Sequence, residues 1–239
     1  MNLDFMAIGS HPDDVELSCA GTIIKLVKNG KKVGLVDLTE GELGTRGTAK
    51  IRAREAKNSA AIMGVTVRDN LRIPDGNIEN TVGNRLKVIR LIRRYKPDVL
   101  IFPYSRDRHP DHENAHILCR ESWFFAGLEK IVTTFDGKRQ EPFRPRTWIN
   151  FMQWHEFTPS FIVDVSGEYD QRMRAIRAFK SQFFDPDNRQ RETVLSSPDF
   201  LEMVRTRAAY YGDRIGRKYG EPFFCPVPVG ISDIDSLII

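Results

Sequence analysis

Two short stretches share the pattern His-Pro-Asp-X and carry side chains suited to metal chemistry: His11, Asp13 and Asp14 in the first, His109, Asp111 and His112 in the second. The first and fourth residues of each stretch face the same side of a turn because they are three apart. Imidazole nitrogens and carboxylate oxygens without sulfur suit catalytic zinc, which typically keeps three protein ligands and one water. Such an ion activates water and polarises a carbonyl. Amide hydrolysis needs both, together with a base and an acid.

Simpler interpretations compete with this one. An isolated His-Pro-Asp-Asp at a helix start is more often a helix cap than a metal site, but two such turns in one chain favour a shared function. His112 and His116 are four residues apart and could form a different, helical metal pair, which would leave His11 and Asp14 without a role. His155 is interpreted either as a substrate contact or as a buried histidine with its hydrogen bonds satisfied.

The elements that position these turns follow from hydrophobic periodicity. Strands are predicted over 3–9, 32–38, 67–73, 98–104, 147–154 and 161–165, and helices over 15–28, 49–63, 83–95, 111–128, 169–183 and 198–219. The polar segment 133–145 is predicted to be a loop. Alternating strands and helices indicate βαβ units. We therefore expect one α/β domain over residues 1–239, Rossmann-like and doubly wound, with a mainly parallel sheet of order 3-2-1-4-5 and helices on both faces.

In that strand order the first and fourth strands are neighbours, and their carboxyl ends flank the switch point where ligands bind. The two His-Pro-Asp turns follow these two strands, so they are predicted to meet across one crevice. The first turn lacks the G-x-G-x-x-G motif of dinucleotide-binding proteins and has acidic side chains where a pyrophosphate would lie. The site therefore favours a cation over a nucleotide.

Composition restricts the remaining function classes. The net charge of +4 is a mild excess, and the basic cluster in 90–96 follows an amphipathic helical pattern, so no nucleic-acid partner is expected. No apolar run reaches the ~18 residues of a membrane span, and the N-terminus lacks the pattern of a signal peptide. The three cysteines have no C-x-x-C spacing, which indicates a reducing compartment. We expect a cytoplasmic protein with no membrane partner.

Several motifs together resemble the PIG-L/LmbE-like zinc N-deacetylases: HPDD after the first strand, GELGTRG after the second, IRAREA opening the next helix and HPDH after the fourth. The later segments PSFIVDVS and AFKSQF resemble the bacillithiol-biosynthesis branch, whose members deacetylate N-acetylglucosaminyl-malate. The resemblance extends from the first strand to about residue 183. It implies a zinc-dependent hydrolase that removes the N-acetyl group from an N-acetylglucosamine derivative.

The resemblance also assigns roles to individual residues. One Zn²⁺ per chain would be held by three ligands: His11, Asp14 and His112. Asp13 would be the general base, and His109 would face the oxyanion or the leaving amine, oriented by Asp111. Arg52 would contact the substrate. The resemblance further implies a homo-oligomer such as a hexamer.

The GELGTRG segment can be either a mobile lid or an ordinary connection, since its glycines permit positive φ. Arg46 and Arg52 bring positive charge to this rim, which suits a substrate that carries a carboxylate. Two alternatives stay open. One is a zinc amidase acting on another N-acetylglucosaminide or thiol-sugar conjugate. The other is a non-catalytic ligand-binding or assembly module, in which the carboxylates only cap helices.

Overall fold

The computed structural model describes residues 1–231, 233 and 234. Its strands are β1 (Phe5–Gly9), β2 (Val33–Asp37), β3 (Val67–Asn70), β4 (Val99–Pro103), β5 (Thr134–Phe135), β6 (Lys138–Arg139), β7 (Thr147–Phe151), β8 (Phe161–Asp164) and β9 (Gly220–Phe224). Its helices are α1 (Asp14–Lys28), α2 (Ala49–Met63), α3 (Val82–Tyr95), α4 (Pro110–Ala126), α5 (Tyr169–Arg177) and α6 (Phe200–Asp213). Across these described residues, no helix combines the length and apolar character needed to cross a bilayer.

The central sheet has the order β3-β2-β1-β4-β7-β9-β8. Its first five strands are parallel and reproduce the predicted 3-2-1-4-5 order, because β7 is the fifth predicted strand. Helices α3 and α4 pack on one face, and α1, α2 and α5 on the other. The predicted doubly wound α/β fold is therefore confirmed.

The C-terminal third departs from the prediction. Strand β9 pairs antiparallel with both β7 and β8 and separates them, although its segment follows what was predicted as one long helix over 198–219. That helix ends at Asp213, and α5 ends at Arg177 rather than near residue 183. The predicted loop 133–145 contains the short β5–β6 hairpin. Strand β9 is defined by its pairing with β7 and β8, which periodicity does not report.

A break in α1 connects β9 to the first His-Pro-Asp turn. Cys19 leaves the helical region (φ −147°, ψ 21°), and the amide groups of Gly21 and Thr22 donate instead to the Glu221 carboxylate at 2.9 and 2.7 Å. Arg172 pairs with the same carboxylate at 3.1 Å. Because burying a carboxylate is favourable only when it is paired and hydrogen-bonded, this network anchors the first turns of α1, and hence the turn before them, to the antiparallel edge of the sheet.

Candidate active site

The two His-Pro-Asp turns lie side by side at the carboxyl edge of the sheet, because β1 and β4 are paired in parallel. Candidate ligand atoms of His11, Asp14 and His112 all lie within 4.8 Å of one another. The three residues are the ones predicted to hold zinc, and the fold brings them together across about 100 residues of sequence. A second group, formed by His11, His109 and Asp111, meets the same distance criterion.

His112 is held between two carboxylates. Its Nε2 lies 3.4 Å from Oδ1 of Asp14, and its Nδ1 lies 2.8 Å from Oδ1 of Asp107. Although burial opposes protonation, these two carboxylates raise the pKa of His112 to about 9. The hydrogen bond from His112 and those from backbone amides outweigh burial at Asp107 and lower its pKa to about 2.

His11 has a similar environment. Its Nδ1 lies 3.5 Å from Oδ2 of Asp14, and its Nε2 lies 3.0 Å from Oδ1 of Asp75 and 3.4 Å from Oδ2 of Asp111. The carboxylates outweigh burial and raise the pKa of His11 above its ordinary value. Both buried imidazoles thus lie where the protein stabilises positive charge. The donor set of two imidazoles and one carboxylate fits a divalent cation with an open position.

Asp13 lies beside this cluster in a strained conformation. Its φ is 116°, a region that costs about 1–3 kcal/mol for a residue other than glycine and is concentrated at functional sites. Its carboxylate is buried, and Oδ2 has no hydrogen-bond partner, although Nη2 of Arg52 lies 3.3 Å away. Burial raises the pKa of Asp13 to about 7, against the opposing effect of Arg52. Such a carboxylate can exchange a proton near neutral pH.

His109 and Asp111 are arranged differently from the predicted pair. Nδ1 of His109 accepts a hydrogen bond from the backbone amide of Asp111 at 3.1 Å, so the imidazole caps α4. The Asp111 carboxylate instead accepts from the amide of Gly76 at 2.8 Å and faces His11. Asp111 therefore contacts His109 through its backbone rather than through its carboxylate. Burial and the neighbouring imidazoles lower the pKa of His109.

The cluster opens into a cavity of about 950 Å³. His11, Asp13, Asp14, His109 and His112 line its inner end. The outer wall comes from segments that the motif analysis did not include: Trp154 after β7, and α6 with the chain before it, which contribute Leu195, Phe200, Met203, Val204 and Tyr210. These residues carry no catalytic pattern in the sequence, and only the packing of α6 against β8 and β9 brings them to the site.

The two predicted substrate arginines have different positions. Arg52 lines the cavity and donates to the carbonyl oxygens of Gly41 (3.1 Å) and Pro12 (2.6 Å). Arg46 is buried, does not line the cavity, and donates to the carbonyl oxygen of Phe183 at 3.4 Å. The side chain of Arg46 therefore points away from the rim of the cavity, because residues of the 179–183 segment pack around it.

The geometry contradicts two alternative interpretations, the helical metal pair of His112 with His116 and a buried position for His155. Nδ1 of His116 lies 3.0 Å from the carbonyl oxygen of Pro103, and its ring packs on Phe102 and Trp148 in the core. His116 therefore points away from His112, and the helical metal pair does not form. His155 is exposed rather than buried.

Asp75 and Asp107 are the residues that sequence reasoning missed. Asp107 lies in SRDRHPDH, five residues before His112, and Asp75 lies in the RIPDG turn after β3. The sequence does contain a signal that could have identified both as site residues. Each is an acidic residue that follows the carboxyl end of a parallel strand near the switch point, where ligands bind. Neither lies within a His-Pro-Asp unit, however, and the spacing of 64 residues between Asp75 and His11 hides their contact.

Comparison with known proteins agrees with this geometry. The family model described as PIG-L: GlcNAc-PI de-N-acetylase matches residues 6–123. The diacetylchitobiose deacetylase of Thermococcus kodakarensis is 30% identical over an alignment of 230 residues, which covers 90% of this chain and 80% of that protein.

Two solved structures share the fold over nearly the whole chain. A conserved protein of Thermus thermophilus has a TM-score of 0.87 at 35% identity, covering 97% of this chain and 98% of that one. The N,N'-diacetylchitobiose deacetylase of Pyrococcus horikoshii, complexed with its inhibitor MPG, has a TM-score of 0.78 at 27% identity, covering 94% and 83%. The residues at the cavity and these similarities lead to one conclusion: the chain belongs to the PIG-L family of metal-dependent deacetylases and is an N-deacetylase, a hydrolase of amide bonds.

Proposed function

We propose that this protein is a zinc-dependent hydrolase that removes the acetyl group from an N-acetylglucosamine derivative. The observation that supports this most is the combination of a three-residue ligand cluster with a buried carboxylate beside it, one of whose oxygens forms an ion pair with Arg52 but accepts no hydrogen bond. His11, Asp14 and His112 offer ligand atoms within 4.8 Å, and Oδ2 of Asp13 has no hydrogen-bond partner. A helix cap would not leave a buried carboxylate oxygen without a donor.

The proposed residue roles follow from the contacts. Zinc, when bound, lowers the pKa of water and polarises the amide carbonyl. Asp13 accepts the proton of the attacking water, for which its raised pKa is suited. His109 lines the cavity on the opposite turn, and it donates to the developing oxyanion or to the leaving amine through Nε2, since Nδ1 is occupied by the amide of Asp111. Arg52 orients both Asp13 and the carbonyl of Pro12, and contacts the substrate from the cavity wall.

For the group attached to the amino sugar we propose malate, so that the substrate is N-acetylglucosaminyl-malate. Guanidinium groups at the cavity support an anionic group, because they bind carboxylates in a bidentate manner. With Arg46 buried elsewhere, the arginines that line the cavity are Arg52, Arg108 and Arg207. Arg207 donates to the backbone carbonyl oxygens of Gln153 and Leu17, so Arg52 and Arg108 are the two proposed to bind the carboxylate. Arg108 is exposed and lies over the ring of Trp154 at 4.2 Å.

A second candidate substrate is a neutral N-acetylglucosaminide, such as the diacetylchitobiose named for the archaeal relative. The observation that favours it is the apolar outer wall, where Trp154, Met203 and Tyr210 are 40%, 49% and 50% exposed. Aromatic side chains with one apolar face suit the ring face of a second sugar.

Metal analysis and a substrate panel test the proposal together. Purified protein is expected to contain about one zinc per chain, as the ligand count implies, and to release acetate from N-acetylglucosaminides. Higher kcat/KM for the malyl conjugate than for diacetylchitobiose supports the first substrate, and the reverse order supports the second. Protein without metal and without acetate release would instead favour the non-catalytic binding module.

The proposal also covers the domain organisation, the cellular location and the oligomeric state of the protein. We propose a single catalytic domain that works in the cytoplasm as a homo-oligomer such as a hexamer. Light scattering of the purified full chain tests the oligomeric state, and a monomeric mass would contradict it.

A further inference from the structure

Two aspartates outside the His-Pro-Asp turns have the same unusual pattern of contacts. Oδ1 of Asp75 lies 3.0 Å from Nε2 of His11, while its Oδ2 accepts the backbone amide of Leu43 at 2.9 Å. Oδ1 of Asp107 lies 2.8 Å from Nδ1 of His112, while its Oδ2 accepts the backbone amide of Trp154 at 2.7 Å. Each carboxylate therefore joins one imidazole of the ligand cluster to one residue of the cavity wall.

The histidine side of each contact sets which ring nitrogen is free. An imidazole that binds a metal is neutral and carries one N–H. The nitrogen that is hydrogen-bonded to a carboxylate would carry this proton when zinc is bound. Asp107 thus places the proton of His112 on Nδ1 and leaves Nε2 toward Asp14. Asp75 at 3.0 Å, together with Asp111 at 3.4 Å, places the proton of His11 on Nε2 and leaves Nδ1 toward Asp14. In both cases the nitrogen left without a proton is the one that lies 3.4–3.5 Å from Asp14.

The wall side of each contact is a backbone amide in a segment that borders the cavity. Leu43 lies in the 41–47 loop and is 69% exposed, and the amide of Asp75 in turn donates to the Glu42 carboxylate at 2.8 Å. Asp107 accepts a second wall amide, that of His155, at 3.2 Å. The contacts thus connect the 41–47 loop on one side of the cavity, and the 154–155 segment on the other, to the metal ligands.

We propose that Asp75 and Asp107 are positioning residues that orient His11 and His112 for zinc and, through their second oxygens, set the two walls of the substrate cavity relative to the metal. This inference rests on the proposed function. Hydrogen bonds from ligand imidazoles to carboxylates typically change metal affinity 10–100-fold when removed. The second oxygen adds the coupling, since a shift of the carboxylate toward one partner weakens its bond to the other.

Isosteric amides test both halves of the inference. Asparagine has one acceptor and one donor end, so it cannot accept from an imidazole and a backbone amide at once. In Asp107→Asn and Asp75→Asn we expect zinc affinity, measured by competition with a chelator, to fall about 10–100-fold. Asp164→Asn is the matched control, because Asp164 accepts a backbone amide from Ser166 at 2.9 Å outside the cavity; its zinc affinity should equal that of the wild type.

Two further measurements separate positioning from a merely structural role. In ¹⁵N-histidine-labelled holoprotein, the Nδ1–H of His112 should be protected from exchange with water in the wild type and should exchange faster in Asp107→Asn, because the hydrogen bond to the carboxylate is weakened. The Nε2–H of His11 should respond in the same way in Asp75→Asn. The fluorescence of Trp154, obtained by difference from Trp154→Phe, should change on zinc loading in the wild type and not in Asp107→Asn. The inference would be overturned by wild-type zinc affinity in both variants, together with unchanged exchange of His112 Nδ1–H in Asp107→Asn and of His11 Nε2–H in Asp75→Asn. This outcome would leave the proposed deacetylase function standing. A wild-type protein that neither binds zinc nor releases acetate would overturn the proposed function itself.

Discussion

The two His-Pro-Asp turns have the same sequence pattern and opposite internal structures. In the first turn, the third residue, Asp13, adopts φ 116° and its carboxylate is buried beside Arg52. In the second, His109 is an extended N-cap, Pro110 follows at the first helical position, and Asp111 is helical. The first turn is held from outside by Arg52, which donates to the carbonyl oxygen of Pro12, and from within by the Asp14 carboxylate, which accepts the His11 amide at 2.8 Å. The second is held from within by the ring of His109.

This difference divides the chemistry between the turns. The first supplies two proposed ligands, His11 and Asp14, and the strained conformation of Asp13 between them aims a carboxylate at the cavity. The second supplies one ligand, His112, and leaves the ring of His109 partly exposed at the cavity wall. The lesson is that a repeated motif does not imply repeated roles, because the contacts around each copy decide where its third residue points.

The largest expected effects come from replacing each of the two adjacent aspartates of the first turn, one at a time, by asparagine. Asp13→Asn should keep zinc and lose about 10²–10⁴-fold in kcat, the usual contribution of a general base. Asp14→Asn should lose zinc, because an amide oxygen is a poorer zinc ligand than a carboxylate, and excess metal should restore part of its activity. Zinc content and turnover of both variants check this, and the opposite pattern would exchange the two roles.

The first histidines of the two turns provide the next contrast. His109→Ala should retain zinc and lower kcat about 10²–10³-fold, as removal of one transition-state donor typically does. His11→Ala should lose the metal. The melting temperature of each variant serves as control, because loss of the His109 cap costs about 1 kcal/mol by itself. Loss of zinc from His109→Ala would move His109 into the ligand set, in line with the second group of His11, His109 and Asp111.

Substitutions of Arg52 test whether its charge sets the pKa of Asp13 in the first turn. The Arg52 charge lowers the pKa of Asp13, which burial raises. A general base works only when deprotonated, so Arg52→Met should raise that pKa and move the acid limb of the kcat/KM profile to higher pH. Arg52→Lys keeps the charge and should leave the limb in place, while KM rises because lysine lacks the planar fork. An unshifted limb in Arg52→Met would show that Arg52 does not tune Asp13.

A glycine pair gives the smallest expected effect. A Cβ at Gly41 (φ 67°) would lie 1.9 Å from Nη1 of Arg52, whereas one at Gly30 (φ 78°) would meet nothing within 4 Å. Both alanine variants should lose about 1–2 kcal/mol of unfolding free energy from the left-handed backbone alone. Only Gly41→Ala should also displace Arg52 and lower kcat/KM, by about tenfold or less. Equal activity of the two variants would argue that Arg52 tolerates movement.

The sequence by itself determined the features that depend on local pattern. The alternation of period-two and period-3.6 runs predicted the five parallel strands and the helices between them, and α2 was predicted with its observed bounds, Ala49–Met63. The order 3-2-1-4-5 then placed the turns after β1 and β4 together. The residue types at those turns predicted a metal site there, because metal chemistry restricts which side chains can serve. The choice of His11, Asp14 and His112 as its ligands came from the resemblance to the PIG-L/LmbE-like deacetylases.

Only the tertiary structure decided which side chains complete the site. Asp75 reaches His11 across 64 residues, and Asp107 reaches the 154–155 segment across 47; such contacts depend on chain packing and leave no periodic signal. The same holds for β9, which enters the sheet between β7 and β8, and for α6, which forms the apolar cavity wall. The direction of Arg46 was mispredicted for this reason: its charge suggested the rim, but packing of the 179–183 segment buried it. Local periodicity reports which face of an element is apolar, whereas the orientation of a loop side chain is decided by whatever the fold brings against it.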